Sequence, residues 1–445
     1  MHDHSREIQA RPDLCAESTQ VECLGPAKIP NPRVNTLFVD EGEGVLVDIL
    51  KDCRSGVPRE VYLEMAGPRR QIYFDPPKTK CAIVTCGGLC PGTNDVIRSI
   101  VMEAHHGYKM SSILGVRYGL AGFIPKTNPM TWELTPQSVA NIHEFGGSIL
   151  GSSRGPQSVE DVVDALERMN VGALFLLGGV GTIRAASAIH QEAKRRKIKI
   201  AVVCIPKTVD NDIHFVTRTF GFGTAVEQAL ESIRCAHVEA LGAPYGIGLV
   251  KVMGRESGFI AAEASQAIKL VNFVLVPEAP FAMRGPGGFL EALEQRLRKR
   301  GHAVIVAAEG AGQNHLPESK LTDASGNPIL GDICGLLSKE IKSYFQEKLP
   351  INLKYIDPSY IIRSVPAEGA DRVYCNMLGS MAVHAAMAGK TGVMVSLVHE
   401  QPVHVPLPLV SAERKRIDLG TAFWQQTLDA TGQPPLGGLK AATQA

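Results

Sequence analysis

No apolar run in this 445-residue chain approaches the ~20 residues needed to cross a bilayer. Residues 1–7 (Met-His-Asp-His-Ser-Arg-Glu) lack an apolar stretch, so no secretory signal is expected. Neither sign of charge dominates. The 46 Lys and Arg against 45 Asp and Glu leave a formal net charge of +1, which gives no electrostatic basis for binding nucleic acid or a membrane surface. The 10 cysteines are too sparse for a disulfide framework. Cys81, Cys86, Cys204 and Cys375 sit in apolar runs and read as small core residues. Cys86 and Cys90 are four apart, but no second Cys or His pair completes a zinc set. A reducing cytoplasm is the expected compartment. Two nucleotide signatures also fail. Gly389-Lys390-Thr391 ends like a P-loop, yet His384 stands where the first glycine is required, and the turn leads from helix into strand. Gly179-x-Gly181 lacks the third glycine and the acidic partner of a dinucleotide fingerprint.

What is abundant is punctuation. The 44 glycines and 28 prolines are scattered between apolar runs and mark many tight turns. From Lys80 onward apolar runs alternate with amphipathic segments, the pattern of βα units feeding a parallel sheet. Strands are expected at 80–86, 112–116, 172–177, 199–205, 246–252, 272–276, 302–308 and 391–398. Helices are expected at 92–106, 136–144, 158–169, 182–197, 223–241, 257–269, 286–300, 332–347 and 371–388. Ser158 with Asp161 forms a capping pair, and Lys194–Lys197 closes a helix at the end its dipole favours. Segment 309–330 reads as a loop. Residues 1–78 are polar and proline-rich, with one strand-like piece at 44–50, and read as an arm without its own core.

Chemistry concentrates at strand ends. The run 199–205 leads into Pro206-Lys207-Thr208-Val209-Asp210-Asn211-Asp212, which sets two carboxylates beside a lysine. That suits proton abstraction next to a bound anion. The preceding strand ends in Gly178-Gly179-Val180-Gly181-Thr182, and the two turns together read as one phosphoryl-transfer site at the carboxyl edge of a sheet. Strand 80–86 runs into Gly87-Gly88-Leu-Cys-Pro-Gly92 and then a helix, an arrangement whose free amides suit phosphate. Arg154 ends another strand-to-helix turn, and its planar fork suits phosphate oxygens. If segment 208–212 is extended, Thr208, Asp210 and Asp212 share one face. A capped turn is the plainer reading of Asp210-Asn-Asp212 alone.

From Lys80 to Val398 the chain resembles the phosphofructokinase family. The resemblance is carried by Gly87–Asn94, Gly147–Arg154, the Gly178 and Asp210 turns, Lys251–Gly258, Val276-Pro-Glu278 and Tyr360-Ile-Ile-Arg363, all in order. The Pro-Lys-Thr loop and long N-terminus are most similar to the ATP-dependent branch of plants and kinetoplastids. The resemblance implies an α/β fold of two similar Rossmann-like parallel-sheet domains with an N-terminal extension. Residues 1–78 would be the extension, 79–220 plus 362–412 an ATP-binding domain, and 221–361 plus 413–445 a sugar-phosphate domain with the C-terminal tail.

The activity implied is transfer of phosphate from ATP to the 1-hydroxyl of fructose 6-phosphate, in glycolysis, by a cytoplasmic homodimer or homotetramer. Asp210 would be the base, Asp212 would orient it or help hold Mg2+, and Arg154 and Thr208 would complete the catalytic set. Gly88, Arg154, Gly155, Gly179, Gly181 and Thr182 would meet ATP. Thr208, Asp210, Met253, Gly254, Arg255, Glu278, Tyr360 and Arg363, with Lys354, would meet the sugar phosphate. Gly181 points to ATP, because members using diphosphate carry aspartate there. The family's metal-binding aspartate is replaced by Val180, so the metal site is unassigned. A weak regulatory or binding relative, or a kinase for a related sugar phosphate, is the alternative. Val180→Asp is expected to raise turnover.

Overall fold

The computed structural model describes residues 15, 18–49, 60–124, 131–319, 321–323, 326 and 328–437. The polar stretch 1–7 lies outside them. Among the described residues the chain builds two principal sheets, of nine and four strands. In the larger, strands Val393–Val398, Ala201–Pro206, Val171–Gly178, Lys80–Thr85 and Ser112–Val116 run parallel in that spatial order. The first four are almost continuous apolar runs buried on both faces, as a helix-covered parallel sheet requires, while Ser112–Val116 is only partly buried. The smaller sheet is wholly parallel: Phe273–Leu275, His302–Ala308, Gly246–Val252 and Asn352–Ile356.

The edges of the large sheet are antiparallel. Strands Gly44–Leu46 and Tyr62–Met65, from the stretch read as an arm, extend one edge through Gln401–Pro406. They are keyed in by a buried ionic cluster. Glu64 takes Lys390 at 2.9 Å, His404 at 2.8 Å and Arg69 at 3.2 Å, and the last three side chains are at most 6% exposed. Burial pulls the Glu64 carboxyl upward, but His404 and Lys390 outweigh it and hold it down at about 2.

Glu64→Ala is expected to cost about 3–5 kcal/mol, because it strands buried cations. The sign with pH follows from the depressed value: this contribution is full above the ordinary 4.5 and disappears as pH falls through about 2. Denaturant unfolding of both forms from neutral to acid pH measures it. A constant gap between them would show that Glu64 contributes only packing.

Most expected helices form. Two details differ. Residues 136–144 do not make an α-helix; a 3₁₀ turn at Ile142–Glu144 is all the helix there. Thr135 and Ser138 bond each other's backbone N–H with their hydroxyls (2.9 and 3.1 Å), which offers the chain a turn in place of a helix. Helix Thr93–Met102 widens into a π turn at Glu103–Gly107, and Tyr108 beyond it is buried with its hydroxyl 2.9 Å from His384 Nδ1.

Candidate active site

In the large sheet the chain order reverses beside strand 80–85: strand 112–116 lies on one side and strand 171–178 on the other. A crevice at the carboxyl ends of such strands is where ligands of open α/β sheets bind. Three elements meet there. Gly87 adopts a left-handed φ of +82°, and its N–H bonds Ser153 O at 3.1 Å while Ser152 Oγ bonds its carbonyl at 2.6 Å. This lays segment 152–154 along the turn, and Gly155 (φ +100°) swings the chain away immediately after Arg154.

At Gly88 a Cβ would stand 3.3 Å from Arg363 Nη1 and 3.4 Å from Arg154 Nη2, and Lys207 Nζ donates to the Gly88 carbonyl. Three cations therefore converge on one peptide. Within the described residues none of the three has a carboxylate within ion-pair distance, and Arg363 Nε is buried without a hydrogen-bond partner. Burial lowers the Lys207 amine below its ordinary value, and Arg154 and Arg363 push it the same way. Uncompensated like charges gathered in a crevice call for a polyanion.

Helix Val180–Arg195 starts at the neighbouring strand end with no acidic residue in its first turn. Its N-terminal N–H groups can face an anion. Gly181 is exposed, and a side chain there would meet nothing within 4 Å. Thr182, by contrast, is buried and packs against Gly178. Val180 is 5% exposed and belongs to the apolar cluster that includes Ile183, Ile213 and Val216.

The Asp210 loop departs from the extended form expected of it. Asn211 takes φ +55°, Thr208 Oγ1 accepts from Asp210 N at 3.1 Å, and Asn211 Oδ1 accepts from Thr219 N at 3.0 Å. With a left-handed residue between them, Asp210 and Asp212 do not share a strand face. Asp212 instead turns to Arg414, 3.0 Å away. One oxygen of Asp210, Oδ1, is buried and has no hydrogen-bond partner. Burial, then the charges of Asp212 and Glu309, push this carboxyl well above the ordinary aspartate range. A carboxylate so placed is poised to take a proton near neutral pH.

The smaller sheet supplies the facing wall. Ser257 Oγ donates to Asp210 O at 2.9 Å, and the backbone N–H of Arg255 favours the ionised Asp210 carboxylate. Met253 and Gly254 follow strand 246–252, with Gly254 at φ +130° close beneath Ser257. The Arg255 guanidinium donates to Pro328 O. Glu309, unassigned from the sequence, follows strand 302–308; burial raises its carboxyl, and Lys251, Arg255 and Arg363 oppose that rise. Its place immediately after an apolar strand was the signal that could have found it. Tyr360 is exposed, with the Arg363 guanidinium 5.0 Å from its ring centroid. Glu278 turns inward to accept from Gly258 N (3.1 Å) and Ile417 N (2.8 Å). Lys354 is exposed on the edge strand, two residues short of its end, and is not among the groups gathered at Gly88 or Asp210.

Magnesium finds little here of the chain's own. Among the described residues no three His, Cys, Asp or Glu side chains gather as a metal set, Val180 has no oxygen to offer, and Asp212 is taken by Arg414. These residues do not build a protein-held magnesium site.

A two-sheet α/β protein with three uncompensated cations on one glycine peptide, and a raised carboxyl on the loop that carries one of them, has the makings of a phosphotransferase. A family model described as phosphofructokinase matches residues 80–386, and the chain belongs to that family. Similar proteins include an ATP-dependent 6-phosphofructokinase of Borreliella burgdorferi, 47% identical over 434 residues, covering 93% of this chain and 96% of that one. One of Arabidopsis thaliana, the chloroplastic ATP-dependent 6-phosphofructokinase 5, is 48% identical over 376 residues (84% and 70%). One of Trypanosoma cruzi is 41% identical over 448 residues (97% and 92%). Among solved structures, a pyrophosphate-dependent phosphofructokinase of Marinobacter aquaeolei superposes with a TM-score of 0.65 at 22% identity, covering 81% of this chain and 92% of that one. That likeness speaks for the fold alone.

Proposed function

We propose that this chain is an ATP-dependent 6-phosphofructokinase, moving the γ-phosphoryl group of ATP to O1 of fructose 6-phosphate to give fructose 1,6-bisphosphate and ADP, a step of glycolysis. The observation that carries this reading is the unpaired Asp210 Oδ1 on the loop that also carries Lys207 to the uncompensated cations at Gly88. Asp210 takes the proton of the 1-hydroxyl as O1 attacks phosphorus and the bond to the ADP oxygen breaks. Arg154 and Lys207 take up the negative charge on the transferring group, the task that dominates phosphoryl-transfer catalysis. Open space at Gly181 admits the α-phosphate at the start of helix 180–195. Met253, Gly254, Arg255 and Glu309 form the sugar side, and Arg363, backed by Tyr360, reaches from the acceptor phosphate toward the donor.

On this reading magnesium comes with the nucleotide, and no step here depends on a protein ligand to it. The domain division at 220, 362 and 412 and self-association into a dimer or tetramer are part of the same proposal. Among the described residues no helix is long and apolar enough to cross a membrane.

A coupled assay for fructose 1,6-bisphosphate tests the reading, with ATP or pyrophosphate as donor and with or without magnesium. Product from ATP and none from pyrophosphate is expected. Equal rates from both donors would move the chain to the pyrophosphate-using branch. Nucleotide binding without any product would make it a binding protein, for which Val180 is the one residue that argues.

A further inference from the structure

The segment after the last strand of the large sheet crosses to the smaller sheet, and each of its residues from 414 to 417 is tied down. Arg414 Nη1 meets Asp212 Oδ2 at 3.0 Å, and Arg414 bridges Ile213. Lys415 N donates to Asp212 O at 3.0 Å, and its amine donates to Val216 O and Thr217 O at 2.9 and 2.7 Å while lying 5.0 Å from the Phe259 ring centroid. Arg416 meets Glu256 at 2.8 Å. Ile417 is buried, and its N–H donates to Glu278. The same Glu278 carboxylate accepts from Gly258 N at 3.1 Å, and Ser257 Oγ holds Asp210 O. The contacts close a circuit: Asp210, Ser257–Gly258, Glu278, Ile417, Arg414, Asp212, and back to Asp210.

We infer that residues 414–417 form a strap that fixes the Asp210 loop against the sugar-side loop 253–258, with Arg414 as its positioning residue and Glu278 as its far anchor. The inference rests on the reading of Asp210 as the base. Two loops from different sheets are otherwise joined at Asp210 by one serine hydroxyl and one backbone N–H. Displacing a reacting group by about 1 Å costs on the order of 10²-fold in rate, so a device that holds both loops has a catalytic consequence without touching substrate.

Two measurements on the full-length protein test it. In steady-state kinetics Arg414→Gln should lower kcat by roughly 10–10²-fold, leave the KM for fructose 6-phosphate and ATP within about threefold, and recover with Arg414→Lys, since one N–H makes the contact. Hydrogen exchange gives a readout that does not need turnover. Peptides covering 208–219 and 253–259 should both exchange about tenfold faster in Arg414→Gln, with strand 171–178 unchanged. Faster exchange in 208–219 alone would show that no strap couples the loops. Where Arg414→Gln does not fold, Arg416→Gln at the 59% exposed end replaces it and should show the same paired loosening. If wild type turns over nothing yet both loops loosen together, the strap stands and the reading of Asp210 as base fails. A lower melting temperature with unchanged kcat and exchange reduces the segment to ordinary packing and sinks the inference.

Discussion

Asp210→Asn is expected to lower kcat by roughly 10²–10⁴-fold, the range for losing a general base, with little change in the affinity for fructose 6-phosphate. The amide keeps the size of the side chain and cannot take the proton of the 1-hydroxyl. The pH dependence sharpens this. Burial, Asp212 and Glu309 raise the Asp210 carboxyl, so its basic form, and with it kcat, is lost as pH falls through that raised value. The acid limb of the native enzyme should therefore lie well above the ~3.9 of a free aspartate, and should be missing from the residual activity of the variant. The sign for stability is opposite. A carboxyl group raised on folding costs stability as pH rises above its unfolded value toward the raised one, so Asp210→Asn should melt higher than native protein at neutral pH. Full kcat in the variant would leave Asp210 as a turn residue. A native acid limb at or below the free-aspartate value would show that the carboxylate is not the crowded one described.

Val180→Asp should move rate and stability in opposite directions. Val180 opens helix 180–195 between two glycines, so an aspartate there would bring a carboxylate to the first turn of the helix, one residue before Gly181. Magnesium-dependent kcat should rise by about 10²-fold, by analogy with the cost of removing one charge-stabilising group elsewhere. The native valine is 5% exposed inside an apolar cluster, and exchanging it for a carboxylate should cost about 1–3 kcal/mol of stability. Kinetics with and without magnesium, beside thermal unfolding, separate the two effects. A native enzyme that is already fast, and slowed by the substitution, would show that nucleotide-borne metal and the cations at Gly88 suffice. A variant that binds ATP without turnover would show a second defect elsewhere.

The strands were legible because each is a short, almost unbroken apolar run closed by glycine, proline or a polar turn, and a parallel sheet buried on both faces needs that composition. The glycine turns and Arg154 were legible for a related reason. A tight approach of backbone to anion restricts residue type locally, and Gly88, with two guanidinium groups against it, is such a place. Segment 136–144 misled because apolar spacing carries no record of the competing bonds between Thr135 and Ser138. Alternation along 208–212 misled because one left-handed residue, Asn211, breaks the extended backbone that alternation assumes. Glu309 could have been found as an acid at a strand end, by the argument that found Asp210.

The sequence by itself determined the α/β class, the order of the elements, and the turns at which the cations and the raised carboxyl stand, since these follow from periodicity and from the few residue types that tolerate such turns. Only the tertiary structure decided which charges face one another. Arg414 and Asp212 are 202 residues apart in the chain, and no local pattern marks either as the other's partner. Glu278 accepts from the backbone N–H groups of Gly258 and Ile417, and Val180 joins an apolar cluster, contacts that no local pattern in their stretches marks. The direction of a side chain, and the charge that meets it, depend on how the two sheets dock. That is a property of the folded whole, because the free energy of a buried charge is set by whatever the fold brings within a few ångströms of it.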